Sequence, residues 1–288
     1  MNAPPTSADD APRPTTEFAG NLLLRAAPND TGRTVLAAQS FRAPFHLSKP
    51  YWDDVERVLI AQVVNPTAGI LAGDRLKSTI TVDPGAALLV TTPSASRVFR
   101  MQTGDASSHQ RYQVAAGGWL EVWPEPLVLH RGARYRQQTE LTVETGGAAF
   151  VLDQFMPGRL GHGEAWMWDS LALALEVRWA GQLVLRERIA SSAAALRALA
   201  EFTGSGATAC FANAVLLGEP ARPAAEWLPA VAALHGEDVW LGISALRHGG
   251  WSVRCVARGP IQLRDVVREL RRRLVPAFPY LHADPRKL

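Results

Sequence analysis

Apolar residues alternate with polar ones along much of this chain, at the period of two that half-buried strands require. Leu171, Leu173, Leu175, Val177 and Trp179 alternate with Ala172, Ala174, Glu176 and Arg178, and Ala180-Gly181-Gln182 leads into Leu183–Ile189. The pattern predicts a β-hairpin with one face toward a core. Thr79–Val82 and Ala87–Thr91 flank Asp83-Pro84-Gly85 and predict a second hairpin, with proline presetting the turn and glycine supplying its positive φ. Three segments share Val-x-x-Gly, with Val82, Val114 and Val143 standing 32 and 29 residues apart. One hairpin cannot bury its own apolar face, so the recurrence predicts units stacked on one another. The expected fold class is all-β dominated, with stacked β-hairpins in a β-helix-like two-layer sheet architecture; a plain antiparallel sandwich is the alternative.

About two short helices are expected. Ser192–Glu201 is alanine-rich, with a serine able to cap its start. Near the C-terminus Leu263, Val266, Val267, Leu270 and Leu274 form an apolar stripe at helical spacing, opened by Pro260 and closed by Pro276. Arg264, Arg268, Arg271 and Arg272 fall off that stripe, which reads as a solvated basic face or a docking surface for an acidic partner.

Composition narrows the class. With 288 residues, 47% hydrophobic and 20% charged, the chain has the make-up of a globular protein with a sizeable core. No apolar run approaches the roughly 18 residues of a membrane span. Met1–Thr16 is rich in Pro, Ala, Ser, Thr and Asp and lacks a basic segment followed by an apolar one. A disordered tail over residues 1–18, a single β-rich scaffold domain over 19–288 and a cytoplasmic location are therefore expected. A net charge of +3, without Lys/Arg runs interleaved with aromatics, argues against nucleic acid as a partner. Cys210 and Cys255 lack metal-ligand spacing and read as buried free thiols, with a single disulfide as the alternative.

The most distinctive stretch is Asn65-Pro66-Thr67-Ala68-Gly69-Ile70-Leu71-Ala72-Gly73-Asp74, directly after the apolar run Val58–Val64. A strand ending in Asn-Pro must turn, and Gly69 and Gly73 permit backbone conformations closed to other residues. The Lys-Ser/Thr of a phosphate loop is missing, so a structural turn is the plain reading. This stretch resembles the Asn-Pro-x-x-Gly-x-x-x-Gly-Asp signature of the urease accessory protein D (UreD/UreH) family. Four further segments resemble that family in the same order: Thr91–Phe99, Trp119–Pro126, Gly158–Glu164 and Leu185–Arg188. The resemblance covers residues 20–190 well. Ala68, Pro93 and Arg97 depart from the usual glycine, glutamine and lysine.

No catalytic constellation is complete in the sequence. Gly204-Ser205-Gly206 lacks the spacing of a nucleophile elbow. The seven histidines form no HExxH or closed zinc pattern, and His162 with Glu164 is the nearest approach to a metal pair. Two alternatives stay open on the residues: a metal-dependent hydrolase using His162, Glu164 and His130 or Asp153, and a β-rich protein-binding module unrelated to nickel. The resemblance implies a non-enzymatic maturation factor without a tightly bound cofactor. It would bind apo-urease and the accessory proteins F and G (a GTPase) and handle nickel transiently through an internal polar tunnel. Asp74, Glu125, Asp153 and Glu164 are the candidates for lining that route, and Asn65, Gly69, Gly73, Arg159, Arg186 and Glu187 for supporting it. Arg159 is the expected partner of Asp153, and Arg186 or Arg188 that of Asp74 or Glu125.

Overall fold

The computed structural model describes residues 18–53 and 57–285. The expected tail lies outside the described residues, apart from Phe18, which opens the first strand. The first strands are β1 (Phe18–Pro28), β2 (Thr34–Arg42), β3 (His46–Leu47), β4 (Tyr51–Asp53) and β5 (Val58–Val64). The repeating part comprises β6 (Asp74–Val82), β7 (Ala87–Thr91), β8 (Ser96–Val98), β9 (Ala106–Val114), β10 (Trp119–Trp123), β11 (Leu127–Leu129), β12 (Arg134–Val143) and β13 (Ala148–Met156). Then follow β14 (Ser170–Trp179), β15 (Gln182–Ser191), α1 (Ala193–Phe202), β16 (Cys210–Leu217), α2 (Ala224–Ala232), β17 (Val239–Ala245), β18 (Trp251–Ala257) and α3 (Pro260–Leu274).

The strands form two facing sheets. One runs β15-β14-β12-β9-β6-β1-β2, the other β17-β18-β16-β13-β10-β7-β5-β3 with β4, β8 and β11 at its margins. The three Val-x-x-Gly units are arches that carry the chain from one sheet to the other. Gly85, Gly117 and Gly146 hold φ of 74°, 72° and 80°. Each turn is closed the same way, by Ala86 N–H on the Asp83 carbonyl, Gly118 on Ala115 and Gly147 on Glu144. Successive arches bond to one another, Ala115 N–H to the Val82 carbonyl and Glu144 N–H to that of Val114.

The expected second hairpin, Thr79–Thr91, is therefore corrected to an arch. β6 pairs in parallel with β1 and β9, and β7 with β5 and β10, so the two strands of the unit never bond to each other. The reason lies in their faces. Ile80 and Val82 on one strand and Leu88 and Val90 on the other are all buried in one core cluster. They meet only if the strands face each other across a sandwich, leaving backbone pairing to the next coil. The expected hairpin at 171–191 is present, with β14 and β15 antiparallel and Ala180 and Gly181 both at positive φ.

Among the described residues there are three α-helices, one more than expected. Ser192 caps α1, its Oγ accepting from Ala195 N–H at 3.3 Å. The extra helix, α2, starts after Pro223 and contains Pro229, residues that argue against a helix in sequence. Its Trp227 and Val231, one turn apart, are fully buried and anchor it on the outer face of the second sheet. The apolar stripe of α3 packs there too. Arg271 departs from the expected basic face. It is buried, and its guanidinium makes a two-point contact with Glu121 of β10 at 2.6 and 2.9 Å. It also donates to the Ala283 carbonyl and lies 4.3 Å over the Trp123 ring.

Candidate functional site

In-register stacking places residues from successive coils in rows across the first sheet. One inward row reads Ser78, Gln110, Thr139, Leu175 and Glu187 on β6, β9, β12, β14 and β15. The next reads Leu76, Ser108, Gln137, Leu173 and Ile189. From the facing sheet comes the row Asp153, Asn213 and Arg254 on β13, β16 and β18. Elsewhere the space between the sheets is filled by valine, leucine and isoleucine. Here small and amide side chains leave a cavity of about 160 Å³, lined by Ser78, Ser108, Gln110, Tyr112, Glu125, Tyr135, Gln137, Asp153 and Gln154 among others.

Several polar groups of this cavity are bonded to one another. Gln137 Nε2 donates to Asp153 Oδ1 at 2.9 Å, and Tyr135 Oη donates to Gln137 Oε1 at 3.3 Å. Thr139 Oγ1 donates to Gln110 Oε1 at 3.0 Å. Burial pushes the Asp153 carboxyl up to about 6, the Gln137 hydrogen bond opposing and the charge of Glu187 adding to the rise. Burial also raises Glu187, while Arg254, 2.7 Å away, pulls it back. That ion pair joins β15 to β18 and so ties the two sheets at one side.

Two more cavities adjoin this one. The first, about 180 Å³, lies under the loop from Asn65 to Ile70 and shares Phe45, Ile70, Leu76, Thr92 and Ser96 with the interior. The second, about 260 Å³, sits at the first turn of α3 and shares Glu125 and Gln154. The three are strung from the loop, through the polar rows, to α3.

The candidates divide accordingly. Asp153 and Glu125 line the interior cavity, and Glu187 ends one of its rows. Asp74 and Glu164 lie outside that lining. Asp74 closes the 65–74 loop, Oδ2 accepting from Leu71 N–H at 2.8 Å; burial raises its carboxyl against that bond and Arg75. Asn65 shapes the start of the loop, Oδ1 accepting from the N–H and hydroxyl of Thr67. Gly73 holds a φ of 88°. Glu164 is held by Arg159 through Oε1 and Oε2 at 2.6 and 2.8 Å, which lowers its carboxyl to about 2. Arg159 is therefore the partner of Glu164, not of Asp153. Arg186 pairs with Glu176 across the β14–β15 register, and neither it nor Arg188 pairs with Asp74 or Glu125.

Gly69 is the position where the loop depends most on its residue type. It holds a φ of 152°, and the next residue is stitched to β8 and its end, with Ile70 N–H on the Arg97 carbonyl and Phe99 N–H on that of Ile70. A Cβ there would lie 2.5 Å from the Arg97 oxygen and 2.7 Å from the Phe99 ring. Gly69→Ala is expected to lower stability by about 2–4 kcal/mol, combining backbone strain with overpacking. Urea denaturation reads this directly, and an unchanged midpoint would contradict it.

No group of three metal-ligating side chains converges among the described residues. His130 is buried beside Phe99, with burial and Arg159 lowering its imidazole, and Arg159 claims Glu164. The hydrolase arrangement of His162, Glu164 and His130 or Asp153 is thus not assembled. Cys210 and Cys255 are buried free thiols pushed up to about 12 by burial. Among the described residues no helix is long and apolar enough to cross a membrane.

Comparison with known proteins finds similarity over nearly the whole chain. The family model for the UreD urease accessory protein matches residues 19–287. The chain is 58% identical to a urease accessory protein UreD from Opitutus terrae over 273 residues, 94% of this chain and 100% of that protein. It is 30% identical to a urease accessory protein UreD 2 from Streptomyces griseus over 260 residues, 86% of this chain and 87% of that one. A urease accessory protein UreD from Cupriavidus metallidurans is 35% identical over 164 residues, 57% of this chain and 55% of that one. The chain belongs to the UreD family of urease accessory proteins.

Proposed function

We propose that this accessory protein is a cytoplasmic urease maturation factor. It binds apo-urease and accessory proteins F and G, and nickel destined for the urease active site passes through its interior. The observation that carries this reading is the row of oxygen and amide side chains around Asp153, enclosed between two otherwise apolar sheets. A carboxylate held between two sheets is costly, and one that faces a cavity is a candidate functional group. Nickel is the cargo here. Imidazole and thiolate sets bind it tightly, whereas carboxylate, amide and hydroxyl oxygens hold a hydrated ion loosely enough to release it. The cavity offers the second kind: Asp153, Gln137, Gln110, Ser78 and Ser108 line it, and both cysteines lie in the helix-side core instead.

The experiment is complementation. A urease gene cluster lacking its own D factor should regain nickel-dependent urease activity when this chain is supplied with the other maturation proteins from its own source. Failure to restore activity with soluble chain present would sink the proposal.

A further inference from the structure

The turns that end the coils opposite the arches carry three exposed arginines close together. Most described arginines have an acidic partner: Arg25 with Asp83, Arg111 with Glu140, Arg136 with Asp105, Arg186 with Glu176. Arg97, Arg100 and Arg131 are exposed, and their side chains have no acidic partner among the described residues. They sit on adjacent stacked segments. Arg97 lies on β8, beside β11, and lines the cavity under the 65–70 loop. Arg100 lays its stem against Gly132, where an added Cβ would come within 3.1 Å of its Cγ, and Arg131 is the residue before that glycine. The acid at hand, Glu164, takes both nitrogens of Arg159 and the Arg131 N–H, leaving the Arg131 guanidinium unmatched.

Apolar side chains lie among these charges. Leu71 is 49% exposed on the 65–74 loop, and Met167 is 43% exposed on the turn whose carbonyl accepts from Gly132 N–H. Like charges gathered without counter-charges repel in the free protein, and an oppositely charged surface relieves that repulsion on contact. Arginine with interspersed Leu and Met is the make-up of a protein-binding patch; a phosphate backbone would leave the apolar side chains without use.

Building on the maturation role proposed above, we propose that this face, at the loop end of the cavity string, is the docking site for a protein partner with an acidic surface. The partner covers Arg97, Arg100 and Arg131 and seats apolar groups on Leu71 and Met167. It thereby sits over the loop-side mouth of the interior.

The test compares the full chain with its Arg97→Glu/Arg100→Glu/Arg131→Glu variant and with the corresponding triple lysine variant. Each is measured for binding to purified apo-urease and, separately, to the F–G complex across a salt series. All three positions are exposed, so matching circular dichroism is expected for all forms. Charge reversal should weaken binding to one of the two partners about 100-fold and leave the other intact. The lysine variant should stay near wild type, and the affected complex should weaken with salt. Glutamate variants that bind both partners as tightly as wild type overturn the docking face alone. Loss of RNA binding with both protein complexes intact overturns it in favour of a nucleic-acid surface. Wild-type chain that binds neither partner overturns it together with the maturation role.

Discussion

Glu121→Ala is expected to destabilise the protein by about 3–5 kcal/mol, a large share of the roughly 5–15 kcal/mol that an ordinary folded domain has in total. Glu121 is fully buried in the middle of β10, and the substitution leaves the Arg271 guanidinium without its carboxylate in a low-dielectric setting. The damage should spread. Arg271 also holds the Ala283 carbonyl, and the adjoining segment is tied to β4 by Tyr51 Oη donating to the Pro285 carbonyl and Asp284 N–H donating to Asp53. Loss of the pair therefore loosens α3 and the C-terminal segment together. Replacing both partners by methionine removes the charges along with their attraction, and should be far milder than either single change. A double-mutant cycle by urea denaturation measures the coupling. Single variants each costing under about 1 kcal/mol would show that the pair is not the clamp described here.

Asp153→Asn is expected to act in the opposite direction on stability. The carboxyl titrates near 6 in the folded chain and near 3.9 when unfolded. Between those values the unfolded chain releases a proton that the folded chain retains. Stability from this group is therefore complete below about pH 4 and falls as pH rises through about 6, by roughly 2–3 kcal/mol. Asparagine keeps the shape and does not ionise, so the variant should match wild type near pH 4 and exceed it at pH 8. Chemical denaturation at the two pH values decides the matter. A variant less stable than wild type at pH 8 would mean that the ionised carboxylate is well solvated or paired and contributes to the fold.

The coil architecture was legible because its repeat is built from residues with few alternatives. Val82, Val114 and Val143 are buried where each strand enters its arch, and Gly85, Gly117 and Gly146 adopt a φ that other residues avoid. What the local pattern could not distinguish was a hairpin from an arch, since both are strand, turn and strand; the choice lies in the pairing of distant strands. The polar rows were hidden for a similar reason. Counting back by twos from each valine gives the inward phase, Ile80 and Ser78, Tyr112 and Gln110, Leu141 and Thr139. Small polar residues in that phase were the signal for a cavity, available only once the strands were aligned. Asp153 lies in the apolar run Phe150–Phe155, and it is one of the carboxylates that line the cavity. Asp74 and Glu164 shared its acidity and their setting in family-like segments, but three-dimensional partners, the Leu71 amide and the Arg159 guanidinium, set their positions. Arg271 looked like its exposed neighbours because its partner is 150 residues away.

The proposed function requires nickel to pass to urease through the interior of this chain. Its most direct test is the nickel content of urease purified from cells maturing it with wild-type chain or with the Asp153→Asn variant, at equal amounts of assembled complex. Urease clearly under-loaded with nickel is expected when Asp153 is neutralised, although the variant folds at least as stably and holds its partners as before. Full nickel loading with the variant would contradict it and move the route elsewhere on the molecule.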